Sequence, residues 1–336
     1  MSKPSVSPRV RAQTHQPLSH IERFKLVGGS FTSGMKRKVP SKSKLLQANL
    51  SEYRAFLLDM DGVLHRHHEP IHGARKFLSM LKNNDIPYLL LTNEDRHTNE
   101  DLSNKLHEIF GDACPTPDHI YSAANSSRDF FARLIRHGFN GSVYVIGEAG
   151  LIQNLKEAYM KNGHPSAGNV LTGLEELPKD SSIEYVVIGC VHAENTRHVE
   201  RAADFVRQGA RLVHTCPDYY DTYPDGRYSF GMPMTTVHLF EETLGCTSYN
   251  LGKPNPHMIR MAQDLLLKGT TLQWKDVLFV GDSINTDIRT SIENGIDCAL
   301  VLSGCTTEEQ LKRSPLYPNY VFEDIGELSK AYKFFD

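Results

Sequence analysis

From Tyr53 onward, short unbroken apolar runs alternate with longer stretches in which apolar residues recur every three or four positions. Runs such as Phe56-Leu57-Leu58 and Val277-Leu278-Phe279-Val280 read as strands buried on both faces, since a strand with one wet face would alternate apolar with polar. The stretch from Gly73 to Asn83, with Ala74, Phe77, Leu78 and Leu81 at helical spacing, reads as a helix packing one side. Strand and helix in alternation predict an α/β fold: a parallel sheet with helices on both faces. Further strands are expected at 87–91, 120–122, 142–147, 185–189, 210–214, 298–302 and 320–322, with one more near Tyr249. Further helices are expected from near Thr98 and over 127–136, 151–161, 199–208, 239–244, 256–267, 286–294 and 325–332, with Gly295 ending the 286–294 helix as a C-cap. The cycle restarts at Gly141, and the strands and helices up to His214 make a self-sufficient α/β unit. The chain therefore divides into a core over residues 46–135 and 247–336 and an inserted unit over residues 136–246. A loop from Asp218 to Gly231 is too polar for a core and too aromatic for a plain linker.

Composition changes this picture at the N-terminus. Residues 1–45 are rich in Lys, Arg, Ser and Pro, carry Glu22 as their single acid and have no sustained apolar period, so a disordered basic extension is expected. The same poverty in acids fits a mitochondrial presequence, although Pro4, Pro8 and Pro17 interrupt the amphipathic helix such a signal needs. At 336 residues the chain is long enough for two cores. A net charge of −3 with a pI near 6.6 argues against nucleic acid as the main partner, and no apolar run is long enough to cross a membrane. The six cysteines are scattered without a C-x-x-C pair, which excludes a zinc knuckle or a thioredoxin-like motif and implies a reducing compartment. The cytoplasm is the expected location, with the mitochondrion as the alternative.

Candidate chemistry gathers at strand ends, where ligands bind in open α/β sheets. Asp59 and Asp61 follow the first strand, two apart and so on one side of an extended segment, with Gly62 freeing the turn. An EF-hand loop is set aside, since it needs further ligands and a glycine at its sixth position, whereas Gly62 stands fourth and follows a strand. Thr92 and Asn93 end the second strand, Lys253 follows the strand near Tyr249, and Asp282 with Asp287 follows the strand from Val277. Gly245 to Lys253 is no nucleotide loop, because its spacing is wrong and Pro254 stands where Ser or Thr should bind metal. His65, His67, His68 and His72 are expected to decorate a solvated loop rather than hold a metal. Taken singly, Asp287 reads as a first-turn helix acid, Lys253 as a surface lysine and Thr92 as a strand terminus.

The ordered set D-M-D-G-V, L-L-L-T-N, G-K-P and V-G-D-S-I-N-T-D-I resembles the haloacid dehalogenase (HAD) superfamily of phosphohydrolases. The resemblance implies a doubly wound, Rossmann-like core and a magnesium-dependent phosphatase working through an aspartyl-phosphate. It implies Asp59 as nucleophile, Asp61 as general acid and then base, and a magnesium ion held by Asp59, Asp61 (through its backbone carbonyl) and Asp282, with Asp287 orienting that shell. Thr92 and Asn93 would bind phosphate oxygens and Lys253 would neutralise charge. The 161 positions from Thr92 to Lys253 resemble the class IIA subgroup, whose large α/β cap is inserted there. That subgroup holds the NagD-like, nitrophenylphosphatase, phosphoglycolate and pyridoxal phosphatase branches, so a small phosphorylated metabolite is the expected partner, with a homodimer left open.

This chain departs from the pattern at Glu94 and Asp95, where the family commonly has Asn-Ser, and acids facing a phosphate would weaken its binding, so both should point away. The cap stretches Gly189-Cys190-Val191-His192 and Thr215-Cys216-Pro217-Asp218 also differ from the family's G-x-D and T-N-x-D. Tyr219, Tyr220, Tyr223, Arg227 and Tyr228 are candidates for specificity. A fold-retaining protein with weak turnover and a binding or regulatory role is the rival reading.

Overall fold

The computed structural model describes residues 50–163, 169–174, 182–193, 195–222 and 227–332. The expected basic extension and Tyr223 lie outside the described residues. In chain order the first half holds β1 (Ala55–Leu58), the short hairpin β2 (His65–Arg66) and β3 (Glu69–Pro70), α1 (Ala74–Asn83), β4 (Tyr88–Thr92), α2 (Asn99–Phe110), β5 (Ile120–Ser122) and α3 (Ala123–Arg136). The middle holds β6 (Ser142–Ile146), α4 (Ala149–Lys161), β7 (Val170–Leu171), β8 (Ile183–Ile188), α5 (Thr196–Arg207), β9 (Arg211–His214), the hairpin β10 (Asp221–Thr222) and β11 (Tyr228–Ser229), α6 (Pro233–Leu244) and β12 (Ser248–Asn250). The last part holds α7 (Pro256–Leu266), β13 (Val277–Gly281), a π-helical turn (Ile284–Ile288), α8 (Arg289–Asn294), β14 (Asp297–Val301), α9 (Glu308–Arg313), β15 (Tyr320–Phe322) and α10 (Ile325–Ala331).

Two parallel sheets organise these elements. The larger has the order β15-β14-β13-β1-β4-β5 and the smaller β12-β9-β8-β6-β7. In β1, Phe56 and Leu58 pack into one apolar cluster with Phe77, Leu90 and Leu278, while Ala55 and Leu57 pack into another with Leu89, Ile259 and Phe279. Successive side chains point to opposite faces and both faces are covered, which is why the strand reads as an unbroken apolar run. The smaller sheet repeats this, with Val143, Val145 and Val187 on one face and Tyr144, Ile146 and Val186 on the other. The order of strands in the larger sheet reverses beside β1, and in open sheets ligands bind beyond the carboxyl ends of the strands at such a reversal.

Several expectations shift in detail. Helix α3 begins at Ala123, four residues earlier than its apolar spacing suggests, because Ser122 and Asn125 form a capping box and the buried hydroxyls find acceptors. Ser126 donates to the Leu251 carbonyl at 2.7 Å and Ser127 to the Ala123 carbonyl at 2.8 Å. The helix expected from Thr286 starts as a π-helical turn at Ile284, and it still stops at Gly295 (φ 67). β12 joins the smaller sheet, pairing Ser248, Tyr249 and Asn250 with Leu212, Val213 and His214. The loop after Asp218 contains the β10–β11 hairpin.

The expected solvated histidine loop needs correction at His65. That residue is fully buried at the base of the β2–β3 hairpin, while His68 and His72 are exposed. Its imidazole is enclosed because Gly62 donates its N–H to the His65 carbonyl at 2.8 Å and folds the chain back on the core.

Candidate active site

Asp59 leaves β1 with its N–H on the Val280 carbonyl at 2.9 Å, so the β1–β13 ladder holds its backbone one residue beyond the strand. Its Oδ1 accepts from the Met60 N–H at 2.8 Å and lies 2.7 Å from the Lys253 ammonium. Lys253 Nζ also lies 2.8 Å from Asp287 Oδ1 and donates to the Leu91 carbonyl at 2.9 Å. Three oxygens, two of them carboxylate, thus lie within 2.9 Å of the ammonium, which is what allows a lysine only 2% exposed to stay charged. Burial alone would lower its proton affinity, and the carboxylates of Asp287 and Asp59 more than offset this and raise it.

Asp282 follows β13, and its Oδ2 accepts the Cys305 N–H at 2.6 Å. Asp287, on the π-helical turn, is fully buried and accepts the N–H groups of Asp282 and Ser283 at 3.1 Å each. One oxygen from each of Asp59, Asp282 and Asp287 falls within 4.8 Å of the others. Three carboxylates against one ammonium leave a surplus of negative charge in a dry site. Burial and then Asp287 hold the Asp59 carboxyl well above its usual range, against the pull of Lys253, and the same two causes push Asp282 up to about 6. An all-oxygen donor set carrying unneutralised charge fits a hard dication such as magnesium.

The loops around this cluster pack too tightly for side chains. Gly62 adopts φ 78, and a methyl group on it would collide with the Asp282 carboxylate; Gly304, packed beside Gly62, presses on the same carboxylate. Ser303 donates to the Gly62 carbonyl at 2.7 Å and Arg66 to the Gly304 carbonyl at 3.0 Å, tying the two loops together. Gly304→Ala is therefore expected to displace Asp282 and weaken magnesium affinity about 10- to 100-fold, with a smaller change in turnover at saturating metal, read from the magnesium dependence of rate.

Thr92 is buried and its Oγ1 accepts the Glu94 N–H at 3.1 Å. Asn93 Oδ1 accepts the Lys253 N–H at 2.7 Å, so it fixes the lysine's backbone and leaves its amide NH2 as the donor. Asp61 stands apart from the three-carboxylate cluster, with its side chain 62% exposed and 3.4 Å from His65 Nδ1. Burial lowers the proton affinity of His65, an effect partly offset by Asp61.

Glu94 and Asp95 do turn away. Glu94 pairs with the Arg96 guanidinium at 2.8 Å and with His97 at 3.0 Å. Asp95 is fully buried, and both its oxygens accept the Cys190 N–H, at 3.1 and 3.2 Å. The loop after Asn93 thereby joins the larger sheet to the smaller one, helped by the Gly150 N–H on the Arg96 carbonyl at 2.8 Å. Burial and then Glu94 push Asp95 up to about 7 from its ordinary 3.8. A carboxyl raised in the folded state contributes stability below its unfolded value that is lost as pH rises through its folded value. Stability measured against pH should thus show Asp95→Asn gaining on the wild type between pH 4 and 7, by at most about 4 kcal/mol, and matching it below that window.

Sequence reasoning did not find the contribution of the smaller sheet. Asp218, beyond β9, lies within electrostatic reach of Lys253 and Asp287 and accepts the Cys216 thiol at 3.0 Å. Nor did it find Cys305 and Gly304 at Asp282; the signal that could have marked them is the run Val301-Leu302-Ser303-Gly304-Cys305-Thr306-Thr307 after β14. Tyr219, Tyr220, Arg227 and Tyr228 are exposed, with Tyr220 and Tyr228 in edge contact at 4.9 Å.

The chain is similar to known proteins over most of its length. The profile of the haloacid dehalogenase-like hydrolases matches residues 56–161, and a HAD-hydrolase-like profile matches residues 250–328. An acid sugar phosphatase of Staphylococcus epidermidis is 31% identical over 84% of this chain and 100% of its own length. A dihydroxyacetone phosphatase of Corynebacterium glutamicum is 30% identical over 83% of this chain and 91% of its own. The structure of NagD from E. coli K-12 covers 82% of this chain and 98% of its own with a TM-score of 0.67 and 26% identity. The chain belongs to the haloacid dehalogenase-like hydrolases, in the class IIA branch with an α/β cap, and is a phosphatase of that family. Among the described residues no helix is long and apolar enough to cross a membrane.

Proposed function

We propose that this phosphatase hydrolyses a small phosphomonoester, of the sugar phosphate class, through an aspartyl-phosphate formed on Asp59 with magnesium bound. The observation that carries the reading is the buried Lys253, which bridges Asp59 and Asp287 while an oxygen of Asp282 lies within 4.8 Å of both acids. Asp59, Asp282 and the Asp61 backbone carbonyl would hold the ion and Asp287 would orient them; its chemistry is to offset the charge of phosphate and carboxylate as they approach. Lys253 aims the Asp59 carboxylate, favours its ionised form against burial and Asp287, and neutralises charge on the transferring group. Thr92 and the Asn93 amide would donate to the phosphate oxygens. Asp61 is the one acid of the first motif left exposed, as a group must be that gives a proton to the leaving oxygen and later takes one from water.

The names of the relatives support the sugar phosphate class, and the cap would exclude bulky phosphoproteins. The pairing of β12 supports a cap that runs on to Asn250, past the boundary expected at 246. The rival reading without useful turnover drew on Glu94, Asp95 and the altered cap stretches; the pairing of Glu94 with Arg96 and His97 and of Asp95 with the Cys190 N–H speaks against its electrostatic part. Phosphate release from sugar phosphates, dihydroxyacetone phosphate, phosphoglycolate, pyridoxal phosphate and nitrophenyl phosphate tests the proposal. Release is expected with magnesium and lost on chelation; equal rates with and without the metal would overturn it.

A further inference from the structure

The mechanism leaves unused a pair of cysteines where the cap meets the core. β8 and β9 run parallel with Val187 opposite Val213 and Ile188 opposite His214, and the Thr215 N–H on the Ile188 carbonyl at 3.2 Å carries the ladder past their ends. Continuing that register puts Cys190 opposite Cys216. Neighbouring strands lie about 4.8 Å apart, inside the roughly 4.4–6.8 Å that a disulfide spans between Cα atoms. The two thiols are free and buried, and close enough that each alters the other's proton affinity. Two carboxylates flank them: Asp95 from the core loop on the Cys190 N–H, and Asp218 on the Cys216 thiol.

We propose that Cys190 and Cys216 are a redox modification site, forming a reversible disulfide that alters the cap's edge above the active site. The oxidant is a peroxide. The Cys216 proton passes to Asp218 Oδ2, 3.0 Å away, and the sulfur takes OH from hydrogen peroxide as the O–O bond breaks. The departing hydroxide recovers the proton as water. The Cys190 sulfur then attacks the Cys216 sulfenic acid, and its proton leaves with the displaced hydroxide as a second water. Two thiols and one peroxide thus give one disulfide and two waters. Burial pushes Cys216 up to about 11, and the neighbouring Cys216 and then burial raise Cys190, so the resting pair is slow to react and stays reduced until oxidant accumulates. The disulfide would remove the S–H donor from Asp218, which sits within electrostatic reach of Lys253.

The experiment treats the full chain with hydrogen peroxide, then counts thiols after denaturation and maps linked peptides. A peptide joining Cys190 to Cys216 should form, removing two of the six thiols apart from any loss at the exposed Cys305, and dithiothreitol should restore both. The near-isosteric Cys190→Ser and Cys216→Ser variants should each lose that link. Absence of the link after treatment that consumes the exposed Cys305 would overturn the site. The regulatory consequence rests on the phosphatase reading: oxidation should raise the KM for nitrophenyl phosphate about three- to tenfold, reversibly, as loss of a hydrogen bond to a carboxylate would. A linked enzyme with unchanged kinetics would overturn that consequence. Thiol counting needs no turnover, so failure of the phosphatase reading is seen separately.

Discussion

Asp59→Asn is expected to lower magnesium-dependent phosphate release at least about a thousandfold, since an amide cannot attack phosphorus and loss of a nucleophile removes most of the rate. The same substitution should make the metal-free protein more stable. Asp59 is a buried acid whose ionisation is opposed by desolvation and by Asp287, and only partly supported by Lys253. The amide removes that repulsion, keeps an oxygen for the Met60 N–H, and leaves Lys253 paired with Asp287. Urea midpoints measured with and without magnesium should show the variant ahead without metal. Magnesium should raise the wild-type midpoint more, because a ligand stabilises the state that binds it. The opposed signs separate a catalytic loss from a folding defect. Full turnover in the asparagine variant would remove Asp59 from its proposed role.

Lys253→Met should have the largest effect on stability, about 3–5 kcal/mol, which is the usual consequence of deleting one partner of a buried ion pair. Methionine fills similar volume, so the loss is one of charge and donors. The Asp59 and Asp287 carboxylates and the Leu91 carbonyl would all lose the group that now meets them at 2.7, 2.8 and 2.9 Å. Lys253→Arg should not rescue it, because a planar guanidinium cannot take a pocket shaped around three converging oxygens. Denaturant titrations should show the deficit of Lys253→Met shrinking at acid pH, as the carboxyls protonate, and with added magnesium. A loss under about 1 kcal/mol would mean that solvent already screens the cluster, contrary to its burial.

The two-sided apolar strands were legible because a parallel sheet covered on both faces imposes unbroken apolar runs, and β1, β4 and β13 follow that pattern. The strand end at Asp59 and the turn at Gly62 were legible for the same reason, as departures from the run. β12 was harder to place. Its three residues, Ser248, Tyr249 and Asn250, carry no apolar run, and only pairing with β9 puts them in the cap sheet. His65 was misread because histidine is usually surface material, and its burial depends on the Gly62 turn closing over it. The start of α3 was missed because Ala-Ala-Asn-Ser looks like a loop until Ser122 caps it and Leu251 accepts from Ser126.

The amino-acid order alone determined the alternation of strand and helix, the insertion of a second α/β unit, and four polar clusters at strand ends. Those features follow from periodicity and spacing, which are local. Only the tertiary structure decided that Lys253 meets Asp59 and Asp287, that Asp61 stays outside the carboxylate cluster, and that Asp95 serves the cap contact while Glu94 pairs with Arg96 and His97. These are matters of which side chains share a dry volume, and in such a volume a charge persists only where its partners, distant in the chain, arrive to meet it.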